Sequence, residues 1–61
     1  MYAQIGDKIK ITYMKGQPNY TDKEGVVKII DNFGQLFGTW GWFAVIPDID
    51  EFEVIERVCD V

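Results

Sequence analysis

Turn-forming residues interrupt the 61-residue chain about every eight to twelve residues, and this spacing leaves room only for short strands. Gly, Pro, Asn and Asp are concentrated at 14–22, at 32–34, at Gly41 and at 47–50. Apolar residues at helical spacing do not continue beyond about ten residues anywhere in the chain. The pattern therefore predicts one small all-β domain over residues 1–61.

The segments between these interruptions predict five strands. Ile9, Ile11 and Tyr13 alternate with polar residues, which is typical of a strand with one buried face. Pro47 ends the fourth strand because proline cannot donate a hydrogen bond to a sheet. Residues 47–50 predict a single tight turn or one turn of 3-10 helix. The predicted strands lie at 8–13, 25–31, 35–40, 42–46 and 52–58, and a helix over 51–61 is an alternative for the last of them.

Strand alternation divides the apolar residues between a core and an outer face. The predicted core consists of Ile9, Ile11, Val27, Ile30, Leu36, Trp40, Ala44, Ile46, Phe52 and Val54. The aromatics Tyr13, Tyr20, Phe37, Trp42 and Phe43 remain outside this set. These aromatics either complete the core and loop packing or form a contact surface for a partner or a second copy, since exposed apolar patches mark interfaces.

The net charge of −4 is unevenly distributed along the chain. Residues 1–30 carry five lysines and three acids, whereas residues 31–61 carry one arginine and seven acids. An acidic protein binds nucleic acid poorly because phosphates require a positive surface. The acidic half instead favours a partner with a basic surface.

The residues that most enzymes use for catalysis are scarce in this chain. It has no histidine, one cysteine (Cys59) and no glycine-rich phosphate-binding motif. Acids at 48–53 resemble a calcium loop, but Glu53 occupies the position where that loop needs glycine. We therefore predict no enzyme activity, no cofactor and no metal. With no signal peptide or membrane-spanning apolar run, we expect a cytoplasmic location.

Two resemblances follow from the order of these motifs. Residues 25–31 are similar to the glycine–valine hairpin of Src-homology-3-like barrels, and residues 41–47 followed by Phe52 resemble the closing strand of their peptide-binding members. This resemblance implies a small five-stranded barrel with a one-turn 3-10 helix before the last strand.

A closer resemblance extends over nearly the whole chain. The segments Ile5–Ile11, Lys23–Val27, Gly38–Gly41 and Ile46–Phe52 look like those of an uncharacterised domain family of about this length, found in phages and mobile elements of Gram-positive bacteria. The resemblance implies a phage-linked source and no particular activity. The bulky Trp42–Phe43 pair departs from the smaller residues expected after Gly41.

Together these features predict a non-catalytic protein-binding module. A phage source would suit an inhibitor of a host antiviral-defence protein. The alternatives are a nucleic-acid-binding barrel that uses Lys8 and Lys10, or a structural or accessory piece of a phage assembly. The predicted contact residues are Tyr20, Phe37, Trp42, Phe43, Asp48, Asp50 and Glu51.

Overall fold

The computed structural model describes residues 3–58, which form one antiparallel sheet. Its strands are β1 (Lys8–Tyr13), β2 (Glu24–Ile30), β3 (Leu36–Gly38) and β4 (Glu51–Glu56). They lie in the order β3-β2-β1-β4, and a 3-10 helix (Pro18–Tyr20) connects β1 to β2. The prediction of a small all-β domain is therefore confirmed.

The central strand β1 follows the predicted alternation until its last residues. Ile9 and Ile11 are buried, while Lys8 and Lys10 lie on the outer side. The register between β1 and β4 then shifts between Ile11 and Tyr13. A shift of this kind redirects the side chains that follow it. Tyr13 consequently lies 47% exposed rather than in the core.

The predicted strand at 42–46 is reduced to one pair of residues. Val45 and Leu36 exchange two backbone hydrogen bonds of 2.8 Å, and no strand forms around them. The carbonyl of Phe43 instead accepts a hydrogen bond of 2.8 Å from the indole N–H of Trp40. Because the Phe43 carbonyl bonds to the indole, it does not accept a backbone hydrogen bond from β3. The described residues therefore contain four strands rather than five.

The one-turn helix predicted before the last strand is wrong, although the tight turn at 47–50 is confirmed. The amides of Ile49 and Asp50 both bond to the carbonyl of Ile46, at 3.0 and 2.7 Å, and close a turn without a helix. The 3-10 helix forms instead inside the predicted loop at 14–22, where Pro18 opens it. Proline suits that place because its φ is already helical and its missing N–H needs no partner.

The core is centred on Trp40, whose indole lies over two glycines. A Cβ added to Gly25 would stand 3.0 Å from Cε3 of the indole. A Cβ added to Gly38 would collide with the same ring and with the carbonyl oxygen of Val26. The two glycines therefore create the space that the indole fills.

The remaining core differs from the predicted one at the loops and at 44–46. Val45 is buried in place of Ala44 and Ile46, which are only half-buried, because Val45 is the residue that pairs with Leu36. Ile30 and Val54 pack against the core at its margin. The buried apolar residues are Ala3, Ile9, Ile11, Met14, Tyr20, Val27, Leu36, Trp40, Val45 and Phe52.

A buried carboxylate fastens both ends of the described chain to the sheet. Asp7 is fully buried, and it accepts hydrogen bonds from the amides of Val58 at 2.7 Å and Gln4 at 2.9 Å. The guanidinium of Arg57 lies 3.3 Å away. The Val58 amide, followed by the Gln4 amide, holds the pKa of the Asp7 carboxyl below its usual value; burial opposes the shift and Arg57 adds to it.

We expect the two tryptophans to differ sharply in their effect on stability. Trp40→Ala empties the space over the glycines and should lower the unfolding free energy by about 3–5 kcal/mol. Trp42→Ala, the matched control at an exposed position, should change it by no more than about 0.5 kcal/mol. Urea unfolding followed by circular dichroism measures both values. Similar losses in the two variants would contradict this assignment of the core.

Asp7 should make the domain sensitive to acid. Its pKa is lower in the folded chain than in the unfolded chain, where an aspartate titrates at about 3.9. The contribution of the Asp7 carboxylate to the unfolding free energy is fully present above the pKa of the unfolded chain. It is lost as the pH falls through the lower pKa of the folded chain. We therefore expect Asp7→Asn to flatten the decline of unfolding free energy below about pH 4.

Asp48→Asn provides the control for this titration because it changes the same chemical group in an exposed turn. Its unfolding free energy, measured across the same pH range, should decline as steeply as that of the parent chain. A parent-like decline in Asp7→Asn would show that Asp7 is not the group responsible.

Candidate protein-contact surface

The segment 42–51 carries exposed aromatic and acidic side chains close together in the chain. We use the name loop surface for the exposed side chains of Trp42, Phe43, Asp48, Ile49 and Glu51. The turn at 46–50 connects the aromatic and acidic parts of this set. The loop surface includes four of the seven predicted contact residues.

Trp42 is the most exposed large apolar residue described, at 94%, although the next residue, Phe43, makes two contacts that hold the loop. The carbonyl of Phe43 accepts a hydrogen bond from the indole of Trp40. The ring of Phe43 packs edge to face on that of Tyr20, with centroids 5.6 Å apart and an interplanar angle of 86°. The exposure of Trp42 therefore belongs to a loop that is fixed by its neighbours.

Tyr20 packs against this loop at Gly41 and Phe43. Its side chain is only 9% exposed, and its hydroxyl and ring lie so close to Gly41 that a Cβ there would stand 2.9 Å from Cζ of the ring. The ammonium of Lys23 lies 5.6 Å from the ring centroid, within the range of a cation–π interaction. The structure thus places Tyr20 beneath the loop surface and not among its exposed side chains.

Asp50 has a structural role in the turn at 46–50, as Tyr20 has beside Gly41. Its side chain is buried, and its carboxylate accepts hydrogen bonds from the amides of Ile46 at 2.9 Å and Lys15 at 3.0 Å. These bonds join the turn at 46–50 to the segment that follows β1. Of the three predicted acidic contact residues, only Asp48 and Glu51 are exposed.

Phe37 belongs to a different surface. It is paired in register with Ile29 across β2 and β3, so the two side chains share one face of the sheet. Phe33 lies at the tip of the same hairpin, 86% exposed, where the carboxylate of Asp31 accepts the amides of Phe33 and Gln35 at 2.9 Å. We call Ile29, Phe33 and Phe37 the hairpin surface.

The predicted contact residues do not include Ile49 or Tyr13, although Tyr13 is one of the aromatics that the predicted core leaves over; both residues are about half exposed. Tyr13 is paired in register with Glu51, which brings it beside the loop surface. The register shift in β1 turned it outward, and no residue in the sequence marks that shift. Ile49 lies in a turn, where strand alternation makes no prediction.

The lysines of β1 lie between rows of acids. Lys8 pairs with Glu24 and Lys10 with Asp22, each at 3.7 Å. On the other side, the register places Glu56 opposite Lys8 and Glu53 opposite Lys10. These lysines therefore do not form a continuous basic face of the kind that a nucleic-acid backbone requires.

Within residues 3–58, no three potential metal ligands come together, no pocket is enclosed and no helix is long and apolar enough to cross a membrane. No protein-family model, curated protein or solved structure matches the chain. The exposed side chains and their charges are the features from which a function can be inferred.

We expect Gly41 to be necessary for the fixed loop. Gly41→Ala places a methyl group against the ring of Tyr20 and adds strain at φ +153°, so it should loosen the bond between the Trp40 indole and Phe43. Gly16→Ala is the control, since Gly16 also has a positive φ of +78° but nothing within 4 Å of an added Cβ. Hydrogen exchange of the indole N–H measures the effect.

The indole exchange should become faster in Gly41→Ala and stay near the parent rate in Gly16→Ala. Equal acceleration in both variants would show that backbone strain alone loosens the domain and that the contact with Tyr20 does not position the loop.

Proposed function

We propose that the domain is a non-catalytic protein-binding module and that its partner contacts the loop surface. The observation that carries this proposal is the 94% exposure of Trp42 on a loop held by Trp40 and Tyr20. Tryptophan is enriched among the residues that dominate binding energy, and truncating such a residue typically costs about 2 kcal/mol or more.

The fixed loop favours binding because little conformational freedom is lost when a partner docks. Ordering a mobile side chain or loop at an interface opposes association by about 0.5–1.5 kcal/mol per rotamer-rich side chain. The hydrogen bond to the Phe43 carbonyl and the ring contact with Tyr20 are present before any partner arrives. The loop is therefore preorganised for contact.

The charge of the loop surface indicates the kind of partner. Asp48 and Glu51 are exposed at its margin, and the whole chain carries a net charge of −4. Aromatic residues surrounded by charged ones are the usual anatomy of a protein interface. Opposite charge on the partner would accelerate association and suppress wrong partners. We infer a partner with a basic surface.

The finer fold and the source belong to the same proposal. Val45 pairs with β3, and the sheet continues in the order β3-β2-β1-β4. This order supports a Src-homology-3-like barrel in which Val45 marks a shortened strand.

The resemblance to the phage domain family supports a partner in the cytoplasm of a Gram-positive host, such as an antiviral-defence protein. The acids beside Lys8 and Lys10 disfavour the nucleic-acid alternative.

Capture from a Gram-positive host lysate tests this proposal. Trp42→Ser should abolish the recovery of a stoichiometric protein partner because it removes the central aromatic of the loop surface. Phe33→Ser is the matched control, since it removes an aromatic of similar exposure from the hairpin surface. Circular dichroism establishes that both variants are folded before they are compared.

The position of contact is then tested with a photo-crosslinking amino acid at residue 49 of the loop surface, which leaves Trp42 in place, and, separately, at residue 33. Crosslinks to the captured protein should form from residue 49 and not from residue 33. Loss of capture in Phe33→Ser together with normal capture by Trp42→Ser would reject the loop surface as the binding site.

A further inference from the structure

β4 is a six-residue edge strand, regularly paired with β1 from Phe52 to Val54 and shifted in register at each end. β4 pairs with β1 on one side, and it is the last strand in the order β3-β2-β1-β4. Within residues 3–58, no other strand or helix lies beyond it. Alternate backbone N–H and C=O groups of an edge strand point outward and can pair with another extended chain.

The side chains of β4 determine which chains this edge can accept. Phe52 faces the core, whereas Glu51, Glu53 and Ile55 are exposed along the strand. Glu56 is also exposed, so three of the six residues of β4 are acidic and none is basic. The edge therefore combines free backbone groups with negative charge and one apolar side chain.

This charge disfavours a second copy of the domain as the occupant. In the antiparallel register that overlaps both β4 edges fully, Glu51 of each strand would lie opposite Glu56 of the other, and like charges on neighbouring strands destabilise a sheet. A segment rich in lysine or arginine has the opposite preference, since its side chains would lie beside the glutamates. The same acids that disfavour self-association therefore select a basic chain.

We propose that the outer edge of β4 binds an extended, lysine- or arginine-rich segment of a partner protein as an additional strand. Backbone hydrogen bonds to β4 supply the pairing, Glu51 and Glu53 select basic side chains at alternate positions of the added strand, and the positions between them lie on the face of Phe52 and Val54, which suits apolar side chains. This site shares Glu51 with the loop surface but does not include Trp42 or Phe43, so variants of Trp42 and of Glu53 test the two sites separately.

A synthetic peptide of alternating lysine and valine with blocked ends is the probe. The control peptide has the same sequence and charge, but alternate backbone amides are N-methylated so that it cannot pair along a strand edge. Amide hydrogen exchange and NMR shifts of the intact domain report binding. The first peptide should slow exchange along β4, and N-methylation should weaken binding by roughly tenfold or more.

Two protein variants distinguish the strand edge from general charge attraction. Glu53→Gln and Asp48→Asn each remove one exposed acid, but only Glu53 lies on β4. Glu53→Gln should weaken binding of the unmodified peptide by about two- to fivefold and Asp48→Asn by less. Binding that survives N-methylation, shifts confined to the Trp42 loop, an equal effect of both variants, or no slowing of exchange along β4 would each overturn the proposal.

Discussion

The indole of Trp40 lies over Gly25 of β2 and Gly38 of β3, where added side chains would collide with it. It also donates its N–H to the carbonyl of Phe43. One residue therefore fills the centre of a very small core and determines the path of the loop that follows. Small domains bury little surface, so a single large aromatic carries a greater share of stability than it would in a larger protein.

Buried carboxylates give this acidic chain much of its loop structure. Asp7 and Asp50 are buried, and each accepts two backbone amides; Asp31 does the same at the hairpin turn. Carboxylates satisfied in this way fix chain segments that lack regular secondary structure. The exposed acids are thus a smaller set than the composition indicates, and they lie mainly in the 47–50 turn and on β4.

The sequence predicted the all-β class and the positions of β1 and β2 because alternation and β-branched residues reflect local burial. It did not predict that 42–46 would keep only the Val45–Leu36 pair, because that outcome depends on a side-chain hydrogen bond from the Trp40 indole to the Phe43 carbonyl, which strand alternation does not anticipate. Exposure of Trp42 and Phe43 was predicted as one of two alternatives. Burial of Tyr20 was one of the same two alternatives. Burial of Asp50 was not predicted, since one of its partners, Lys15, is distant in sequence.

We propose that the two tryptophans have different roles, Trp40 in the fold and Trp42 in contact with a partner. Acrylamide quenching of fluorescence in Trp40→Phe and Trp42→Phe, each with one tryptophan left, distinguishes their environments. We expect weak quenching and blue-shifted emission from Trp40, and strong quenching with red-shifted emission from Trp42. Equal quenching of the two, in variants that circular dichroism shows to be folded, would contradict it.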